Sequence, residues 1–288
     1  MQQLKDDLQR LFPGLKLDET SRSYNSKVLR GQLNGASLVA KFDPDKAIQE
    51  CRATKLAQQV LGARGLRVPG VIGCTTNAVL LEYIEGMEPR LESSAHRALC
   101  IDFLTALQSI DPPSDLADHY FGSTLHNRLL EERVHLIKAK TLAPALAAIE
   151  SDFESLLSLA LKAEKFDNKG VLSHGDYQPK NLRITREEEV VPIDWVDFGR
   201  AHRAYDIGNL LYSATPEEFR SGIDIYLRES GNNMPSSMVS EFATQAAAIS
   251  GVIRSGHYFR SIENGQLDQV DLAINSVLKG RKLLSPHL

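Results

Sequence analysis

Apolar and polar positions run along this chain in two rhythms. Lys27-Val28-Leu29 and Ser37-Leu38-Val39-Ala40-Lys41-Phe42 are short runs parted by Gly31, Asn34 and Gly35, which predicts strands of an antiparallel sheet. Ahead of them, Leu4, Leu8, Leu11 and Phe12 recur at helical spacing among charges. Asp43-Pro44 reads as the N-cap and first residue of a helix reaching about Leu61, with Glu50, Thr54, Ala57 and Leu61 on its inward face. Arg67 to Gly73 returns to the sheet, and Ala78 to Gly86 reads as a strand leaving into a hinge. Beyond it the helical period dominates. Ser93-Ser94 opens a helix with Leu99, Phe103, Leu107 and Ile110 inward, closed by Asp111-Pro112-Pro113. Residues 124–138, 142–163 and 241–260 follow the same spacing, as does Leu267 to Leu278 before Gly280 as a stop.

Two short strands interrupt the helices. Val171-Leu172 and Leu182-Arg183-Ile184 flank a tight loop stiffened by Pro179, and after a polar turn from Thr185 to Glu189, Val190-Val191-Pro192-Ile193 returns as the second arm of a hairpin. The loop is Ser173-His174-Gly175-Asp176-Tyr177-Gln178-Pro179-Lys180-Asn181, and the returning arm ends in Asp194-Trp195. Phosphoryl transfer asks for a carboxylate that accepts a hydroxyl proton, then an amide oxygen and a second carboxylate that hold Mg²⁺ against a nucleotide's phosphates. Asp176, Asn181 and Asp194 supply those groups in that order. Asp197, opening Asp197-Phe198-Gly199, competes for the metal role, but the interval from Asn181 and the apolar strand just before Ile193 favour Asp194.

His174-Gly175-Asp176 with four residues before Asn181, then Ile193-Asp194-Trp195 and Ala204-Tyr205-Asp206-Ile207-Gly208, resembles the aminoglycoside phosphotransferase and choline kinase family of small-molecule kinases over roughly residues 20 to 212. The resemblance implies an α+β, protein-kinase-like, two-lobed fold. Residues 1–86 would form a nucleotide-binding lobe of antiparallel sheet with one helix, and residues 87–288 a mostly helical catalytic and acceptor-binding lobe. It implies ATP and Mg²⁺ as cofactors and a small-molecule hydroxyl as acceptor. Lys41, ending a Val-Ala-x-Lys-like strand, would hold the α and β phosphates, steadied by Glu50. Adenine would pair with backbone at Glu82 and Ile84. Between Leu17 and Val28, where a glycine-rich loop is expected over the phosphates, the chain has Asp18 to Ser26 and no glycine, so Ser21, Arg22, Ser23 and Asn25 are the candidates there. Asp206 would hydrogen-bond the catalytic loop's backbone; read alone it is an N-cap.

The length of 288 residues suits about two domains of ~150 residues. A net charge of −4 without a long basic run points away from nucleic acid and from an anionic membrane surface. The N-terminus lacks a signal peptide's apolar centre, and no run is long enough to span a bilayer. Cys51, Cys74 and Cys100, odd in number and without CxxC spacing, predict core thiols in a reducing cytoplasm. Asp197, Asp224 and Glu241 suit a cationic acceptor, whereas Arg254, His257 and Arg260 either greet an anionic one or face water. Two rival readings remain at this level: a nucleotide-binding pseudokinase, supported by the glycine-free loop, and metal-dependent hydrolysis through His174, Asp176 and Asp194.

Overall fold

The computed structural model describes residues 2–22, 27–163, 169–231 and 235–284. In chain order the elements are α1 Gln2–Leu11, β1 Lys16–Arg22, β2 Lys27–Leu33, β3 Ala36–Phe42, α2 Ala47–Gly62, β4 Val71–Cys74, β5 Ala78–Glu82, α3 Ser94–Gln108, β6 Asp118–Tyr120, α4 Gly122–Leu142 and α5 Glu150–Ala160. They continue with β7 Val171–Ser173, β8 Leu182–Ile184, β9 Val190–Pro192, β10 Gly199–Ala201, α6 Ala204–Leu211, α7 Pro216–Glu229, α8 Ser236–Glu263 and α9 Val270–Leu284. The class is α+β, as expected. Two compact units emerge, Met1–Glu88 with Lys180–Phe198, and Pro89–Pro179 with Gly199–Leu288, so the β8–β9 hairpin groups with the first sheet.

In the first unit the sheet runs β1-β2-β3-β5-β4, every pair antiparallel. Period-two alternation on β3 decides which side chains meet which helix. Leu38, Ala40 and Phe42 join Leu8, Leu15, Leu29, Ala78 and Leu80 in one core, with Phe12 packed on it. Lys41 takes the opposite parity, and its partner across the ladder, Val79, clusters with Cys51 of α2 and Leu81. Lys41 therefore faces α2.

Several expectations need correction. Asp18 to Arg22 are not loop but most of β1, paired to β2; Ser23 and Asn25 lie outside the described residues. The helix after β3 starts at Ala47, because Asp43 spends its side chain on a turn, where Oδ1 accepts the Asp45 and Lys46 N–H at 3.1 and 3.2 Å. Cys51 and Cys74 are not free thiols: a disulfide joins them across 6.3 Å between Cα atoms, tying α2 to β4, and Cys100 remains a buried thiol. Gly280 does not stop a helix. It lies inside α9, where a Cβ would stand 3.3 Å from the Gly251 Cα of α8, so it serves the close crossing of those two helices.

The second unit packs α8 at its centre, against α4, α5, α6 and α9. A three-stranded sheet in the order β6-β10-β7 carries the chain into the loop after Ser173. Ser93 caps α3, and Thr215 with Glu218 forms a capping box on α7. Among the described residues no helix is long and apolar enough to cross a membrane.

Candidate active site

The first unit gathers three of the expected residues. Lys41 Nζ donates to Glu50 Oε1 at 2.5 Å and lies 3.1 Å from Asp194 Oδ1. Glu50 reaches it from the first turn of α2, and Asp194 arrives from the end of the β8–β9 hairpin. That hairpin pairs Leu182 with Pro192 and Ile184 with Val190, and the Ile193 N–H donates to Asn181 O at 2.8 Å, so the metal-candidate amide and carboxylate sit on adjoining chain segments. Trp195, fully buried, anchors the turn beyond by donating from Nε1 to Pro192 O at 2.9 Å. Asp194 has a φ of 70°, a left-handed conformation that a non-glycine residue holds only at a cost of about 1–3 kcal/mol and that clusters at functional sites.

Charge balance makes this triad informative. One ammonium serves two carboxylates, leaving a net charge of −1. Burial alone would lower the Lys41 pKa, yet Asp194 and Glu50 together hold it above the usual lysine range. Glu50 is pushed above the usual carboxylate range by burial, with Lys41 opposing and Asp194 adding repulsion. The Asp194 carboxylate is 39% exposed, so the excess negative charge is open to a cation. An amide oxygen from Asn181 and a carboxylate from Asp194 are hard donors of the kind Mg²⁺ takes alongside phosphate oxygens.

The second unit holds Asp176 in a loop whose backbone is fixed residue by residue. Asp206 Oδ2 accepts the His174 N–H at 2.8 Å, Ser173 Oγ accepts the Gly175 N–H at 3.0 Å, and Tyr205 Oη donates to Gly175 O at 3.0 Å. Gly175 has a φ of 86°, where a side chain would be strained. Tyr177, fully buried, ties the far side down by donating to Cys100 O at 2.8 Å. The Asp176 carboxylate accepts from Gln178 Nε2 and stays partly exposed, as a proton acceptor for an incoming hydroxyl must. Burial raises the Asp206 pKa to about 7, against hydrogen bonds from Ser173, His174 and Gly175 that favour its ionised form; the charge of Asp176 adds to the rise.

Other candidates are placed differently. Asp197 sits in the turn after Trp195. Glu82 ends β5 with its N–H donating to Gly70 O at 2.7 Å and its carboxylate holding Arg67 and the Gly70 N–H, and Ile84 is buried just beyond. The basic triplet does not act together: Arg260 makes a two-oxygen pair with the fully buried Glu132 of α4, and His257 is exposed. Sequence reasoning missed Gln178, although it lies inside the loop motif, and missed Arg67, which bridges Glu82 to Glu189 of the hairpin turn. Among the described residues no group of three or more His, Cys, Asp or Glu is placed to hold a metal.

A lysine held between a helix glutamate and a hairpin aspartate, with an anchored His-Gly-Asp loop in the other unit, defines a protein-kinase-like phosphotransferase. The model of the phosphotransferase enzyme family matches residues 20–238, and the chain belongs to that family. No curated protein matches it in sequence. Solved structures share the fold: the gentamicin complex of APH(2″)-IIa, at 16% identity and TM-score 0.70, covers 98% of this chain and 97% of its own. Choline kinase LicA from Streptococcus pneumoniae, at 13% identity and TM-score 0.68, covers 99% of each chain. Macrolide 2′-phosphotransferase MphH from Brachybacterium faecium, at 15% identity and TM-score 0.65, covers 96% of this chain and 97% of its own.

Proposed function

We propose that this enzyme moves the γ-phosphate of ATP to a hydroxyl of a small molecule, with Asp176 orienting that hydroxyl and accepting its proton. Lys41, steadied by Glu50, holds the α and β phosphates. Asn181 and Asp194 would hold Mg²⁺, which supplies charge neutralisation at the phosphates when bound. The observation that carries the reading is the Lys41 ammonium shared between Glu50 and Asp194, because nucleotide phosphates and a divalent cation are the partners that such a charge pattern suits. Backbone at Glu82 and Ile84 pairs with adenine in this reading, and Ser23 and Asn25 are the candidates for phosphate contact. The two lobes are residues 1–86 and 87–288, with the hairpin serving the nucleotide.

The acceptor class is an amino alcohol, an aminoglycoside-like antibiotic or a sugar-like metabolite, and neither nucleic acid nor membrane takes part. The reaction belongs in the cytoplasm, where ATP is; the Cys51–Cys74 bond is the observation that weighs against that location. The test is Asp176→Asn. It lowers kcat by roughly 10² to 10⁴ and leaves nucleotide affinity nearly intact. Wild-type turnover in that variant, or ADP release that ignores every added alcohol, overturns the assignment.

A further inference from the structure

α2 brings Glu50 to Lys41, yet little of its own packing holds its first turns there. On its buried face Ala47, Cys51, Thr54 and Ala57 are small, and Ile48 and Leu56 are exposed. The large apolar Leu61 stands at the C-terminal end, where Gln58 Nε2 also donates to Pro69 O at 2.7 Å. The Thr54 hydroxyl is buried without a hydrogen-bond partner among the described residues. Within the charged triad Asp194 repels Glu50. Beside the Lys41 pair and the exposed Gln49, whose Nε2 donates to Val196 O at 3.2 Å, the first turns are fixed by the Cys51–Cys74 bond. Cys51 follows Glu50 directly. Cys74 pairs across the ladder with Val79, which pairs with Lys41, so Cys74 and Lys41 share one cross-strand row on the face that α2 covers. The bond clamps α2 to the row that carries the lysine, one residue from the glutamate that meets it.

We propose that Cys51–Cys74 is a reversible thiol–disulfide switch on nucleotide binding: the bond holds Glu50 at Lys41, and its reduction releases the first turns of α2. This rests on the reading of Lys41 and Glu50 as phosphate-side residues. Access is one-sided, since Cys51 is buried whereas Cys74 is half-buried on β4, the edge strand. The thiolate of a small-molecule thiol attacks the Cys74 sulfur, breaks the S–S bond, forms a mixed disulfide at Cys74 and frees Cys51 as a thiolate that takes up a proton. A second molecule of that thiol then displaces Cys74 and leaves as the reductant's disulfide, so two electrons and two protons pass to the protein. Reoxidation runs the same steps backwards, with a small-molecule disulfide as oxidant. Cys100 takes no part, being buried with its thiol pushed up to about 12. In a thiol-buffered compartment a disulfide is characteristically transient and redox-sensing, not a permanent staple.

The full chain is titrated calorimetrically with Mg-ATP in its disulfide form and after reduction with dithiothreitol, and far-UV circular dichroism reports whether the reduced chain keeps its helices. Reduction raises the Kd for Mg-ATP about tenfold with the helical signal kept. In Glu50→Gln the same reduction changes Kd by less than about twofold, because the group that the switch positions is already gone. Linkage demands the converse: in glutathione buffers Mg-ATP shifts the dithiol–disulfide ratio of the wild type toward the disulfide by the same factor of about ten. A chain with both Cys51→Ser and Cys74→Ser binds as the reduced wild type does and ignores the reductant. Equal affinity of the two forms, an undiminished effect of reduction in Glu50→Gln, a redox ratio indifferent to Mg-ATP, or unfolding on reduction overturns the switch and leaves the phosphotransferase reading standing. Absence of Mg-ATP binding in both forms defeats that reading, and the switch with it.

Discussion

Replacing Glu50 by Gln tests the charge argument directly, since shape is kept and one charge is removed. The Lys41 ammonium keeps Asp194 at 3.1 Å but loses its 2.5 Å partner. With an effective dielectric of about 20, an attraction at that distance is roughly 6 to 7 kcal/mol before any offset. Two offsets are large: Glu50 is buried, so removing its charge recovers its desolvation cost, and its repulsion with Asp194 also disappears. Breaking a buried pair outright costs about 3–5 kcal/mol, and with Asp194 still in place a net loss of about 1–3 kcal/mol of folding stability follows. The functional effect is separate. Asp194 becomes the sole counterion of Lys41 and the triad's net charge rises from −1 to zero, so the ammonium and Mg²⁺ compete for one carboxylate. The Kd for Mg-ATP rises about 10- to 100-fold, equivalent to about 1.4–2.8 kcal/mol. Urea unfolding gives the first quantity and calorimetric titration with Mg-ATP the second. Thr54→Val is the control: it lies on the same buried face of α2, its hydroxyl has no hydrogen-bond partner, and its removal leaves both values unchanged or slightly improved. Wild-type Mg-ATP affinity in Glu50→Gln refutes the reasoning.

Three further outcomes follow from the same geometry. Asp194→Ala abolishes Mg²⁺-dependent ATP binding in calorimetric titration and Asp197→Ala largely preserves it; the reverse order means that the wrong aspartate has been chosen. Asp206, with a folded-state pKa of about 7 against an unfolded value of 3.8, stays protonated in the fold while the unfolded chain has already ionised. Its contribution is therefore complete below about pH 4, falls progressively as pH rises from there to about 7, and is spent above it, by at most about 4 kcal/mol in all. Urea midpoints of the wild type should fall between about pH 4 and about pH 7 relative to Asp206→Asn and level off above, and parallel pH profiles count against the assignment. Reducing the Cys51–Cys74 bond, which closes a separation of 23 residues, lowers stability by about 3 kcal/mol in the chain-entropy account. Thermal melts with and without a thiol reductant measure this, and Cys51→Ser should be insensitive to the reductant.

The Lys41–Glu50 pairing was legible because its geometry is local. Lys41 and Glu50 are nine positions apart, and period two on β3 with period 3.6 on α2 is enough to aim both inward. The hairpin that delivers Asp194 announces itself as two apolar arms around a polar turn. β1 was illegible for the opposite reason. It is the edge strand of its sheet, and Asp18-Glu19-Thr20-Ser21-Arg22 has no apolar parity to reveal it, as an edge permits. Asp43 misled because the same side-chain bonds that cap a helix also close the turn that precedes this one. The Cys51–Cys74 bond had no signal at all in an odd cysteine count.

Recognition of the acceptor is a problem of another kind. The pairing of Arg260 with Glu132 spans 128 positions, and that of Arg254 with Asn209 spans 45, so no window of sequence shows which of the α8 cations is free to meet a ligand. Only in the fold is it visible that Glu132 of α4 takes Arg260 and Asn209 of α6 takes Arg254. Solved structures at 13–16% identity keep the fold at TM-scores of 0.65–0.70 while their names carry gentamicin, choline and macrolide. The Lys41–Glu50 pair is local, whereas Asp194 reaches Lys41 from the distant β8–β9 hairpin. Among α4, α6, α8 and α9 the pairings are long-range, and exchanging one partner re-aims a charge and leaves the helices packed. The long-range pairings are therefore where one substitution changes the local charge without changing the fold.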